Sequence, residues 1–470
     1  MIVGLPTDGL TAAWEKDFSA YSPAGVIVFR RDFADLPGLR NLTRRLRSLA
    51  RPRRIFIGID EEGGFVSQLA GHLDVPPTAL LLARGARPGD VERAARVTGE
   101  RLRSLGLDWV FAPVADIHSR PENPVIGPRA FGTEAAGVAL RVGEAVRGYR
   151  AAGIASCLKH FPGHGDTTVD SHLALPHSAA PRAELERREL VPFRDNLDAD
   201  SVMTTHVVFD DLDAERAATF SRPIVHQLLR AQLGFAGIAV TDALEMKGAA
   251  EGHSPVEQGR LALEAGCDLL LFAFHSEELR RSRFALARLL TAGELDRASF
   301  DDARPRLAAF DRRIAEPDEQ EMARPIDALT PGDWVPWLEG IVERGLEIRG
   351  RLPRADGSWR VTEPTFPHGP SLRTDLEQQG IPVSDEAASI ELVSLMSRLP
   401  LPADEVDRLR ARAREHPTVL VGFQNDGWLA AVPEAALRIS AADATPPTRR
   451  VVARALARAR DEARASSLPT

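Results

Sequence analysis

The residues best equipped for proton chemistry lie in "KHFPGHGDTTVDSH", Lys159 to His172. Asp170 and His172 are two apart, and in an extended segment side chains two apart point the same way. The Asp170 carboxylate can therefore hold one imidazole nitrogen of His172, fix its tautomer and raise its basicity. An imidazole titrating near neutrality is a natural proton shuttle. Pro162, Gly163 and Gly165 break any helix after His160. His160 and His164 are thus not the paired ligands of a helical metal site. There is no H-E-x-x-H and no cysteine cluster, so no metal is expected.

A second reactive group is Asp242, which follows the apolar run "GIAVT" directly. A carboxylate leaving such a run is partly buried and fixed in direction, which suits a nucleophile or general base; alternatively it caps a short helix beginning at Ala243. Other ionisable residues stand at the ends of other apolar runs: Asp60, Asp116, Lys159 with His160, and His206. Lys159 is one of only three lysines, with Lys16 and Lys247, in a chain whose other cationic side chains are all Arg.

The elements that must position these groups alternate. Strand candidates begin at Ile2, Gly25, Ile55, Leu107, Ile154, Ser201, Gly237 and Asp268. Their near-continuous apolar character fits strands buried on both faces of a parallel sheet. Helical patterns cover 35–49, 90–105, 133–152, 182–197, 223–233, 257–265 and 277–290. Ser254, Pro255 and Glu257 read as N-cap, first helical residue and capping-box acid, with Gly266 closing the helix. Eight such units over about 300 residues predict a (β/α)8 TIM-type barrel, with the active site at the C-terminal ends of the strands. The first unit reads as irregular, because the stretch between its strands is short. A doubly wound sheet is the alternative, but no Gly-rich dinucleotide turn follows a strand. The expected organisation is a catalytic barrel over 1–312, a charged, proline-punctuated linker over 313–332 and a smaller, divergent α/β domain over 333–470.

Net charge is -8 over 470 residues, which leaves no global basic field for nucleic acid or anionic lipid. No apolar run reaches membrane-spanning length and the first residues lack a secretory pattern, so a cytoplasmic protein is expected. Cys157 and Cys267 sit in or beside apolar runs and read as core residues.

Taken together, the residues describe an enzyme with one buried carboxylate and one Asp–His shuttle, acting on a neutral, hydroxyl-rich ligand held by Asp60, Asp116, Arg129 and Lys159. Glycoside hydrolysis fits. Most retaining glycosidases use two carboxylates about 5–5.5 Å apart. A His in place of the acid/base carboxylate keeps the proton transfer and removes one negative charge.

"KHFPGHGDTTVDSH" resembles the signature of the β-N-acetylhexosaminidases of glycoside hydrolase family 3. "GVIVF", "IGIDEEGG", "FAPVADI", "IGPRAFG" and "TDALEM" agree with it, over roughly Gly4 to Arg312. The resemblance implies a retaining mechanism through a covalent glycosyl-enzyme, with Asp242 as nucleophile, His172 as acid/base and Asp170 as its partner. It implies that Asp60, Arg129, Lys159, His160 and His206 hold an N-acetylglucosamine ring. It further implies terminal β-linked N-acetylglucosaminides as substrates, muropeptide fragments of cell-wall recycling among them, and no cofactor. Phe65 and Gln68 depart from the family pattern, which carries arginines there. A retaining phosphorylase, a family β-glucosidase and a non-catalytic sugar-binding protein are the alternatives. The β-glucosidases lack the Asp-x-His pair.

Overall fold

The computed structural model describes residues 1–20, 23–170, 174–295, 297–354, 356–386 and 388–465, without the side chains of 297–300. His172 lies outside the described residues. The chain packs as two units, one of residues 1–62, 89–126 and 132–331, the other of 63–88, 127–131 and 332–470.

The first unit is a barrel. Its strands are β1 (Ile2–Val3), β2 (Gly25–Val28), β3 (Phe56–Ile59), β4 (Trp109–Val110), β5 (Cys157–Phe161), β6 (Ser201–Thr204), β7 (Ile238–Ala243) and β8 (Leu269–Phe272). All pair in parallel, in the order β4-β3-β2-β1-β8-β7-β6-β5. Bridges from Trp109 to Ala155 and from Val114 to Lys159 bring β4 to β5 and nearly close the ring. All eight strand candidates are strands, because Val, Ile and Leu runs of this length are stable only when covered on both faces.

Helices intervene at Leu36–Ala50, Asp90–Ser104, Ala135–Ala151, Pro223–Gln232, Pro255–Ala265 and Glu277–Ala292. Two expectations need correction. The first unit is regular after all: nine residues, Ala12–Ala20, make a helix between β1 and β2. The helix expected over 182–197 is two short ones, Arg182–Arg187 and Val191–Arg194; Pro192, lacking an N–H, sits in the first turn of the second. Ser254 caps its helix by accepting from the Glu257 amide, and Gly266 ends it at φ 114. The capping box is not closed, because the Glu257 carboxylate binds Arg260 instead.

One end of the barrel is built for stability. Asp108, Asp200 and Asp268 each immediately precede β4, β6 and β8. Each accepts a backbone N–H from the neighbouring strand segment, of Ile57, Ser156 and Ala239 respectively. Each is also paired with arginine: Arg47 at 2.9 Å, Arg313 at 2.6 Å, and Arg230 and Arg306 at 2.6 and 2.7 Å. Phe310 and Ile314, from and just beyond the helix Arg297–Arg313, pack into the apolar barrel interior with Trp109, Met203 and Leu271. The interior is therefore a packed core, and chemistry is left to the other end. Cys157 and Cys267 are buried thiols, pushed up to about 12 by that burial.

The second unit carries a sheet of β9 (Glu347–Gly350), β10 (Ser358–Thr362), β11 (Ala388–Leu395), β12 (Thr418–Gly422) and β13 (Leu437–Ser440), in the order β9-β13-β12-β11-β10. Only the β9 edge is antiparallel. Residues 63–88 belong to this unit. Their helix, Ala79–Gly85, is capped by Thr78. The Thr78 amide donates to Asp443 at 3.1 Å, and its hydroxyl donates to the Ala442 carbonyl at 3.0 Å. Gly85 lies so close to helix Trp334–Gly345 that an added Cβ would stand 2.0 Å from the Ile341 carbonyl oxygen. Among the described residues no helix is long and apolar enough to cross a membrane.

Candidate active site

The site is assembled from the C-terminal ends of β3, β5, β6 and β7. Lys159, buried on β5, places Nζ 2.7 Å from Asp60 and 2.6 Å from Glu62. Glu62 was given no role from the sequence. Asp60 and Glu62 are two apart in extended chain, so the rule that paired Asp170 with His172 would also have found it. Two carboxylates thus flank one buried ammonium.

His160 is joined to Asp116, with Nδ1 2.6 Å from Oδ2. The Asp116 carboxylate also accepts from the backbone amides of His160 and His164. Asp116 is fully buried and its oxygens are occupied. It does not hold ligand hydroxyls, as expected from the sequence, but sets the imidazole of His160. Burial alone would raise its pKa; His160 and His164 outweigh that and hold it below the usual carboxylate range.

Asp242 lies within β7 and caps no helix: the next one, Lys247–Ala250, begins five residues on. Its Oδ1 accepts from the Ala243 amide at 2.7 Å. Burial raises its pKa, but His160, His206, the Ala243 amide and Lys159 together more than compensate, so the carboxyl sits below its ordinary value. The structure thus brings Asp242, His160, His206 and Lys159 within electrostatic reach of one another. His206 is fully buried, with Nδ1 2.9 Å from the Thr219 hydroxyl and Nε2 3.0 Å from the Ala243 carbonyl. A carbonyl only accepts, so Nε2 carries a proton. His206 thereby grips the peptide that follows Asp242.

The base of the loop after β5 is clamped. Asn123 Nδ2 donates to the carbonyls of His164, Gly165 and Thr167. Asp166 accepts from Arg120 and Ser178, and His164 Nδ1 meets the Thr167 hydroxyl. A Cβ on Gly165 would stand 1.6 Å from the Ile117 carbonyl oxygen. His164 and Asp166 therefore scaffold the loop. Glu189 is buried beneath it, bound to Ser119 and Arg188; burial pushes it up to about 7. Asp170 is half-buried, and its carbonyl accepts from the Ala174 amide. Its expected partner, His172, is among the residues not described.

Arg129 ends the turn Gly127–Arg129, which packs with the second unit. Phe65 packs against the apolar core of that unit, which accounts for an aromatic ring where an arginine was expected. Gln68 follows it, half-buried. Among the described residues no cluster of three or more His, Cys, Asp or Glu could hold a metal ion.

The near-closed parallel barrel thus presents a cation-supported carboxylate at the end of its seventh strand, the end where barrel enzymes carry their chemistry. The model of the glycosyl hydrolase family 3 N-terminal domain matches residues 10–310, and the chain belongs to that family and is a glycoside hydrolase. It is similar to β-hexosaminidase A of Pseudoalteromonas piscicida, 33% identical over 327 residues, which are 63% of this chain and 54% of that protein. The chain thus spans about half the length of that relative. It is 33% identical over 344 residues to a β-hexosaminidase of Chromobacterium violaceum, covering 70% of this chain and 96% of that one. Among solved structures, the family 3 β-N-acetylglucosaminidase from Paenibacillus sp. str. FPU-7 superposes with a TM-score of 0.87 at 27% identity, covering 97% of this chain and 95% of that one.

Proposed function

We propose that the chain is a retaining exo-glycosidase that removes terminal, non-reducing β-linked N-acetylglucosamine. The observation that carries this reading is Asp242, held ionised at the end of β7 by His160, His206 and Lys159. The names of the relatives and the ungapped stretch from Lys159 to His172 support the substrate class.

In the first step Asp242 attacks the anomeric carbon and the C1–O bond breaks. His172, oriented by Asp170, gives its proton to the departing oxygen. In the second, His172 takes a proton from water, the water oxygen attacks C1, and the bond to Asp242 breaks with its electron pair returning to the carboxylate. Asp60, Arg129, Lys159 and His160 hold and orient the sugar, Asp60 and Lys159 as a charge-assisted pair, while His206, expected to join them, has both ring nitrogens taken and braces the chain at Ala243 instead. His160 and His206 also act on Asp242 electrostatically, keeping the nucleophile unprotonated.

In this reading the first unit, which takes in the stretch 313–331 expected to be a connector, supplies the catalytic barrel, and the second unit, which takes in 63–88 and 127–131, is the smaller domain. Muropeptide fragments and a cytoplasmic place in peptidoglycan recycling rest on likeness to the family. Nitrophenol release from aryl N-acetyl-β-glucosaminide and aryl β-glucoside tests the reading. Turnover of the first alone supports it, and turnover of the second alone, or of neither, contradicts it.

A further inference from the structure

The turn that carries Asp60 and Glu62 runs straight on into the segment 63–88. Glu61–Gly63 pairs with Val66–Ser67 in a two-stranded ribbon. Gly63 and Gly64, directly after Glu62, both stand in the left-handed region, with φ of 93 and 54. Glycine is required there twice over, because the chain also lies flat against Pro76, Pro77 and Thr78. A Cβ on Gly63 would stand 2.9 Å from the Pro76 carbonyl oxygen, and one on Gly64 would stand 2.8 Å from the Thr78 amide nitrogen. The Gly64 amide donates to the Pro76 carbonyl at 2.9 Å. Whatever fixes Thr78 therefore fixes the two residues that follow Glu62.

Thr78 is fixed by residues far along the chain. Asp443 is fully buried. Its Oδ1 accepts from the Thr78 amide at 3.1 Å. Its Oδ2 accepts from the Thr445 amide at 3.0 Å, the Thr445 hydroxyl at 2.6 Å and the Thr448 hydroxyl. The preceding residue, Ala442, has φ 51 and is the one non-glycine residue at positive φ among the described residues. An L side chain keeps that conformation only where its surroundings impose it. Here the Ala442 amide donates to the Gly422 carbonyl, and the Ala442 carbonyl accepts the Thr78 hydroxyl at 3.0 Å. The bend after β13 thus grips Thr78 twice, by its amide and by its hydroxyl.

We propose that Asp443 is a positioning residue for sugar binding: through Thr78 and the glycine pair it sets the turn that presents Asp60 and Glu62 to Lys159. The inference rests on the reading of Asp60 as a sugar-binding residue and gives the smaller domain a part in that binding. Asp443 touches no substrate in doing so, because both its oxygens are taken within the protein.

The test uses three variants, each alone and combined with Asp60→Asn. Asp443→Asn keeps the shape, but an amide oxygen can replace only one of the two acceptors, so the Thr78 or the Thr445 N–H loses its partner. Thr78→Val removes the hydroxyl and keeps the amide. Val452→Ala is the control, taking two methyl groups from the same unit's apolar core and none of these bonds. Thermal unfolding reports folding, and turnover of aryl N-acetyl-β-glucosaminide reports KM and kcat. Asp443→Asn and Thr78→Val should each raise KM about five-fold with little change in kcat. Beside Asp60→Asn they should add less than about two-fold, because the contact they set is already gone. Val452→Ala should lower the melting temperature and leave KM at the wild-type value. Should Asp443→Asn fail to fold, Thr78→Val alone decides. An unchanged KM in the folded variants, an undiminished effect beside Asp60→Asn, or an equal rise in Val452→Ala would overturn the inference while leaving the glycosidase reading intact. No wild-type turnover would overturn both.

Discussion

Asp116 holds His160 at three points, its imidazole at 2.6 Å and its backbone amide at 3.1 and 3.2 Å. The same carboxylate takes the His164 amide at 2.7 Å, so one buried group sets both a side chain acting on Asp242 and the root of the loop after β5. Asp116→Ala strips three donors of their acceptor. It should cost about 3 kcal/mol or more of stability and nearly all turnover. Asp116→Asn keeps the shape and part of the bonding, so it should lose less stability but still depress kcat. Urea unfolding beside steady-state kinetics separates the two effects.

The acidic groups titrate in opposite senses. Asp242 is depressed below its ordinary 3.8. Its contribution to stability is present above the unfolded value and lost as pH falls through the folded one. The acid limb of kcat/KM due to Asp242 should therefore lie below that ordinary value. Glu189 is raised from 4.5 to about 7. Its contribution is fully present below the unfolded value and lost as pH rises toward the folded one. Glu189→Gln, which mimics the protonated form, should be more stable than wild type at about pH 8, by roughly 2–3 kcal/mol. The gain should shrink as pH falls toward 4.5. Denaturant midpoints across that range measure it; a pH-independent difference would refute the assignment.

Lys159 separates two carboxylates. Lys159→Met leaves Asp60 and Glu62 facing each other without a cation and should cost about 3–5 kcal/mol. Asp60→Asn is different, because Glu62 still pairs with Lys159 at 2.6 Å. That variant should fold normally, by thermal unfolding, and show its defect as a raised KM.

At the opposite end of the barrel, Asp268 ties the Ala239 amide to Arg230 and Arg306. Asp268→Ala should lower stability by about 3–5 kcal/mol and leave kcat per folded molecule at the wild-type value. A comparable kcat loss there would contradict the division of the barrel into a structural and a chemical end.

The barrel was legible because eight apolar runs, spaced by helical patterns, have no other way to be covered on both faces. Asp242 was legible from the same logic, as a carboxylate leaving such a run. Roles within the polar clusters were not. Asp116, His164 and Asp166 look as catalytic in sequence as Lys159 or His160, and only three-dimensional pairing shows that they are consumed in fixing the loop and its neighbours. Phe65 was unreadable for another reason: residues 63–88 leave the barrel sequence to join the core of the second unit, a long-range choice with no local periodicity behind it. The helix Ala12–Ala20 escaped notice because its amphipathic pattern is weak.

The most direct test of the account is Asp242→Ala assayed on aryl N-acetyl-β-glucosaminide with and without azide. If Asp242 is the nucleophile, the variant should lose activity by about a thousand-fold or more. Azide should then restore turnover by occupying the space of the missing carboxylate, giving the α-configured glycosyl azide. Retained activity without azide, or a rescued product of β configuration, would contradict it.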